Sequence, residues 1–176
     1  GFITDWTTDG RALLDAPMTD CFVRAPLDND ICSSEVDNPS PEAWLAKWQA
    51  AGLFDLEHRC TGVEVNGATV ISQHEYLNDA GVAIRSMWTH TFDAEGGVDI
   101  AIEVNVDPET PPLPRIGMRL LLSNKPEAVS WLGRGPHENY HDRKLSADLG
   151  TWSLDRQAMQ TPYIFPSDNG LRCDVR

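Results

Sequence analysis

Residues 131–144, WLGRGPHENYHDRK, hold the densest set of reactive side chains in the chain. Two of the five histidines, an acid on either side of Tyr140 and three bases fall within these fourteen residues. A histidine beside carboxylates can serve general acid–base catalysis. Planar acids and amides beside an aromatic ring also suit a sugar, since they take hydroxyl groups while the ring stacks on a sugar face. The same residues make a braced loop equally well. Gly133, Gly135 and Pro136 predict a turn, and Glu138, Asp142, Arg134 and Arg143 can cross-link the polar run, with Asn139 and Tyr140 between them, through charge-assisted hydrogen bonds. The residue types favour the brace and leave the sugar-binding rim open.

A second polar knot, RAPLDND, runs from Arg24 to Asp30. Arg24, Asp28, Asn29 and Asp30 could hold a sugar or a cation, or pair among themselves. In YIFPSDNG, Pro166 has no N–H, and the turn can leave the carbonyls of Phe165 and Pro166 free for a monovalent cation or water. His58, His74 and His90 fall at polar positions of alternating segments, which predicts a solvated sheet face for all three. Glu75 follows His74, but neighbours in a strand point to opposite faces, so the two make no acid–base pair. No G-x-S-x-G, P-loop or dinucleotide fingerprint occurs.

The elements that must position these groups are mostly strands. SPEAWLAKWQAAG predicts one short helix near residues 41–51, capped by Ser40, begun by Pro41 and Glu42 and stopped by Gly52. Trp44, Leu45, Trp48 and Ala51 share one of its faces. Beyond it the period becomes two. The segment 54–65 turns at Asn66-Gly67, ATVISQHEYL returns, NDAG turns, VAIRSMWTHTFD goes out, AEGG turns and VDIAIEVNV returns. IGMRLLLS, after the Pro-rich link DPETPPLPR, reads as a fifth strand. Antiparallel strands with one inward face imply a sandwich. The chain has no initiator methionine, and GLRCDVR alternates like a strand at its end; one domain over residues 1–176, a fragment of something larger, is expected.

Composition narrows the partners. The 176 residues carry 27 acids and 14 bases, a formal net charge of -13, and 41 % hydrophobic residues with six Trp. Such a chain buries a core, and its charge repels phosphate backbones and anionic lipid, which argues against nucleic-acid and membrane-surface binding. No apolar run reaches membrane-spanning length. Cys21, Cys32, Cys60 and Cys173 are scattered, with no Cys-x-x-Cys pair, so zinc and thioredoxin chemistry find no support. Free thiols and a cytoplasmic setting are expected.

CFVRAPLDND, PEAWLAKWQAAG, WLGRGPHENYHDRK and TPYIFPSDNGLRC together resemble, in order and spacing, the C-terminal region of the large β-galactosidases of glycoside hydrolase family two. The resemblance implies the N-terminal part of the small-chain domain, a mainly β, antiparallel super-sandwich related to galactose mutarotase. It further implies a parent enzyme that hydrolyses terminal β-D-galactosides with retention, through two glutamates carried by a TIM barrel. The Mg2+ and Na+ ligands lie mostly in that barrel, and a homo-oligomer is expected of the parent. By that resemblance the fragment alone is inactive, binds no cofactor of its own, and has the remaining domains of the parent as partners and its galactoside as a substrate of the whole enzyme. The loop Cys32, Ser33, Ser34 and Glu35 is implied to border the active-site mouth. Related enzymes carry glycine where Cys32 stands, so cysteine there puts the loop's mobility in question. Two alternatives remain beside this reading: a mutarotase-like aldose 1-epimerase using His137 with Glu138 or Asp142, and a stand-alone carbohydrate-binding module.

Overall fold

The computed structural model describes residues 1–35, 37–123, 126–164 and 168–176. Its elements run β1 Thr7–Thr8, β2 Arg11–Ala12, β3 Leu14–Cys21, α1 Asp28–Ile31, α2 Trp44–Ala50, β4 Glu57–Asn66, β5 Thr69–Asn78, β6 Gly81–Phe92, β7 Val98–Val106, β8 Gly117–Leu122, β9 Ala128–Gly135 and β10 Asp148–Asp155. The chain is mainly β, and all of its ladders are antiparallel among the described residues. Two compact units divide it: residues 1–24 with 29–123, and residues 25–28 with 124–176. None of its helices is long and apolar enough to cross a membrane, among the described residues.

The first unit is built on the four-stranded meander β4-β5-β6-β7. The turn at Asn66-Gly67 forms as its sequence predicts, with Gly67 at φ 60°, a left-handed angle that glycine takes without a Cβ clash. The expected fifth strand exists as β8, but it leaves the meander and pairs with β3. LDAPMTDC had no strand reading because Pro17 and two acids interrupt its alternation; register shifts on both sides of Ala16 absorb Asp15 and Pro17, while Asp20 pairs in register with Met118. The β3 carboxylate of Asp20 reaches Tyr76, Ser86 and Trp88 on one face of β5 and β6, so β3 lies against that face.

The helix is shorter than its sequence suggests. Residue 43 takes the N-cap position without a side-chain cap, and Ser40, Pro41 and Glu42 lie before it in a turn. The Ala43 N–H is taken by the Ser40 carbonyl at 2.9 Å, so a backbone turn replaces the expected side-chain cap. Gly52 does stop the helix, at φ 64°. Leu45 and Trp48 are buried with Ile31 and Leu53, whereas Trp44 stays exposed beneath the Lys47 ammonium, 5.0 Å from its ring centroid. A second cluster joins Phe22, Tyr76, Ala83 and Ile84. Leu113 packs on both clusters, so the Pro-rich link does more than space two segments. Its Pro112 carbonyl accepts the Trp48 indole N–H at 2.8 Å, and its Pro114 carbonyl accepts Arg24 Nε–H at 3.2 Å.

The second unit holds the β9-β10 hairpin. WLGRG is therefore strand rather than the expected turn, and the reason is close approach. A Cβ on Gly133 would sit 2.9 Å from the Val175 Cα, and one on Gly135 would sit 2.7 Å from the Trp152 ring. Residues 171–176 form no strand. They run beside β9 through two backbone bonds, Arg134 N–H to Cys173 O at 3.0 Å and Arg176 N–H to Leu132 O at 2.8 Å, and Asp174 at φ 55° interrupts the extended course.

Candidate functional site

The opening question turns on where Glu138 points. Its side chain is 3 % exposed and both of its oxygens are occupied. Oε1 accepts from the Arg143 guanidinium at 2.7 Å and from the Tyr163 hydroxyl, and Oε2 accepts the Gly170 backbone N–H at 2.6 Å. Burial pushes the Glu138 carboxyl up, but these three donors outweigh it and hold the group below the ordinary carboxylate range. The same contact with Glu138 raises the Tyr163 hydroxyl. A carboxylate held ionised by three fixed donors is a poor proton carrier.

Asn139 is fully buried and braces the same segment. Its Oδ1 accepts the Cys173 backbone N–H at 2.9 Å, and its Nδ2 donates to the His137 carbonyl at 3.0 Å. Tyr140 donates to the Asp168 carbonyl at 3.2 Å beneath the Arg143 guanidinium, 4.7 Å from its ring centroid; burial first, and then Glu138, push its hydroxyl up to about 12. Arg134 joins Asp174 at 2.6 Å and donates to the Ala147 carbonyl at 2.8 Å. These bonds cross-link the segment without Asp142, which is exposed and makes no side-chain bond among the described residues: the acid that meets Arg143 is Glu138, and the acid that meets Arg134 is Asp174. His137 is exposed and lies 3.1 Å from Ser146 Oγ.

In the first unit the Arg24 knot is narrower than its four polar residues suggested. Arg24 and Asp30 form a two-pronged ion pair, with N–O distances of 2.6 and 3.3 Å, and the Arg24 guanidinium lies 5.8 Å from the Trp48 ring centroid. Asp28 and Asn29 are exposed, and the Asn29 carbonyl accepts from Cys32 Sγ at 3.0 Å. Cys32 itself has φ 52°. The loop beyond it is closed by Ser33, whose Oγ lies 2.8 and 2.9 Å from the carbonyl oxygens of Glu35 and Asn38 and has one hydrogen for the two; Ser34 and Glu35 are exposed. Phe165 and Pro166 lie outside the described residues.

The three lone histidines are where the residue pattern misled. His74 and His90 are each 1 % exposed, on the face covered by β3 and the N-terminal segment, and only His58 is exposed. Alternation gives the face but not its cover, and β3 had no strand signal. Glu75 does point to the other face, where it meets Arg85 at 3.2 Å. The group that sequence reasoning missed is Asp20, which accepts from Tyr76 at 2.8 Å, Ser86 at 2.5 Å and the Trp88 indole at 2.9 Å. An acid inside the apolar alternation of LDAPMTDC was the one available sign of it.

No three His, Cys, Asp or Glu side chains converge as an ion site among the described residues. A cavity of about 640 Å³ in the first unit is lined by Asp55, Asn78, Asp79, Asp107 and Glu109 and has no aromatic wall on which a sugar could stack. The four cysteines are free thiols.

Sequence comparison supplies what this geometry lacks. The family model described as "Beta galactosidase small chain" matches residues 1–176. The chain belongs to that family. It is 48 % identical over 182 residues to a beta-galactosidase of Aeromonas hydrophila, with 100 % of this chain covering 18 % of that protein. A beta-galactosidase of Klebsiella pneumoniae is 43 % identical over 180 residues, and one of Vibrio cholerae 40 % identical over 180, each again matching 100 % of this chain. The chain thus spans under a fifth of the length of these relatives, 17 to 18 %.

Proposed function

We propose that this chain is a non-catalytic domain of a cytoplasmic β-galactosidase that hydrolyses terminal β-D-galactosides with retention. Its part is to scaffold the remaining domains, and its loop Cys32, Ser33, Ser34 and Glu35 borders the active-site mouth. The observation that carries this reading is the whole-length family match to proteins of which it is a small share. The braces agree with it. Glu138 and Asp30, the buried acids of the two polar knots, are each committed to fixed donors, which suits a scaffold. The galactoside, the metal ions and the homo-oligomer belong, in this reading, to the whole enzyme.

The test compares the isolated chain with the full-length enzyme. The chain alone should neither turn over a chromogenic galactoside nor speed anomer interconversion, while replacing residues 33–35 by glycine in the full-length enzyme should raise KM more than it lowers kcat. Turnover by the purified chain that survives a contamination control would overturn the non-catalytic assignment. Unchanged KM in the loop variant would remove the loop from the active-site mouth.

A further inference from the structure

The N-terminal residues lie on a relay of side chains. His58 Nε2 is 2.9 Å from His74 Nδ1, and His74 Nε2 is 2.9 Å from Ser72 Oγ. Ser72 Oγ in turn donates to the Gly1 carbonyl at 3.0 Å. A carbonyl only accepts, so the Ser72 hydrogen is committed and its oxygen must accept His74 Nε2–H; His74 Nδ1 then accepts His58 Nε2–H. Donation runs one way from the exposed ring of His58 to the backbone of Gly1. Phe2 lies on top, its ring 4.1 Å from that of His74 at an interplanar angle of 2°, 5.1 Å from that of His58, and edge-on to Trp88 at 5.1 Å. The fit is tight enough that a Cβ on Gly1 would meet the Ser72 Cβ at 2.4 Å. One residue further on, the Ile3 carbonyl accepts the Met18 N–H of β3 at 2.9 Å.

We propose that residues 1–3 form an acid-released strap, held down by the neutral His58–His74 pair and let go when the pair takes up a second proton. The 2.9 Å contact between two ring nitrogens carries this, because it has room for one hydrogen. The closed pair therefore holds at most three hydrogens on its four nitrogens, whereas a separated, hydrated pair holds four. Burial acts in the same direction: it lowers His58, and with the His58 charge it depresses His74 to about 4. The groups around the pair are few. Asp20 of β3 favours protonation, but Tyr76, Ser86 and Trp88 all donate to it. Tyr76 itself lies 5.0 Å from the His58 ring, and Cys60 of β4 stands opposite His74 in the ladder. His90 of β6, whose buried Nε2 meets no partner among the described residues, opposes protonation. Histidines depressed in the closed state hold the strap above the ordinary histidine value and lose it as pH falls from there.

The experiment follows the Met18 amide by hydrogen exchange in the 176-residue chain, normalised to the intrinsic rate at each pH. Protection should drop roughly tenfold between pH 7.5 and 5.5, one proton's worth over one unit below about 6.5, while the β5 and β6 ladder amides stay protected. The drop should vanish in the His58→Gln/His74→Gln variant. An unchanged Met18 protection in the native chain, an equal drop in the variant, or a parallel loss across β5 and β6 would each overturn the proposal. Should that variant not fold, Gly1→Ala decides: it must expose Met18 already at pH 7.5 and flatten the pH dependence, and native protection there rejects the strap.

Discussion

Glu138 Oε2 accepts the backbone N–H of Gly170 at 2.6 Å, across 32 residues of sequence. This bond ties the polar run after β9 to the segment before Cys173, and the Tyr163 hydroxyl and Arg143 guanidinium complete it on the other oxygen. Glu138→Gln keeps the shape but turns one acceptor oxygen into a donor facing donors. It should cost about 1–3 kcal/mol of stability, read as a lower urea midpoint. The native chain should show the matching acid sensitivity. A carboxyl depressed in the folded state stabilises above its unfolded value, about 4.3, and that contribution is lost as pH falls through the folded value. A midpoint equal to that of the native chain at pH 7 would show that the brace is not what orders the segment.

The meander, its Asn-Gly turn and the polar character of the 137–143 run were legible because each is written in consecutive residues: alternation, a turn pair, a block of acids and bases. The cover over His74 and His90 was not, since it comes from β3, where Pro17 and Asp20 break the alternation that marks a strand. The identity of bracing partners was hidden for a related reason. Arg134 chose Asp174 over the nearby Asp142, and Glu138 accepts from Gly170, both partners lying far along the chain. The helix start was misplaced by three residues because a backbone turn from Ser40 to Ala43 competes with side-chain capping.

Asp20 offers a second test of a long-range acid. Asp20→Asn leaves an amide N–H2 facing the Tyr76, Ser86 and Trp88 donors, which cannot all be satisfied by one remaining oxygen. A loss of about 2–4 kcal/mol is expected. It should appear as a lower denaturant midpoint together with a red-shifted tryptophan emission, because the indole of Trp88 is fully buried in the native chain. A loss below about 0.5 kcal/mol, the scale of a surface change, would refute the role given to this carboxylate.

Cys32 sits at φ 52°, where a Cβ is strained and glycine is not. Cys32→Gly should therefore be neutral or stabilising by up to about 1 kcal/mol, the relief of strain set against the lost thiol contact with the Asn29 carbonyl. Cys32→Val, β-branched at the same angle, should be destabilising by more than that amount. Urea midpoints of the two variants give the order, and a valine variant at least as stable as the glycine one would contradict the backbone description.

Gly133 tests whether residues 173–176 are docked by backbone contact. An added Cβ would lie 2.9 Å from the Val175 Cα, 3.0 Å from Val175 Cγ2 and 3.1 Å from the Asp174 carbonyl oxygen. Two of the three neighbours are backbone and cannot rotate away, so Gly133→Ala must push residues 173–176 off β9. The bonds Arg134 N–H to Cys173 O and Arg176 N–H to Leu132 O flank the contact and break with it. A cost of about 1–3 kcal/mol is expected, with the Arg134 and Arg176 amides losing exchange protection. Gly117→Ala serves as the control, because its Cβ would meet nothing within 4 Å, and it should stay within about 0.5 kcal/mol of the native chain. If Gly133→Ala behaves like that control, residues 173–176 are not packed against β9, and the close approach that explains a glycine inside this strand does not exist.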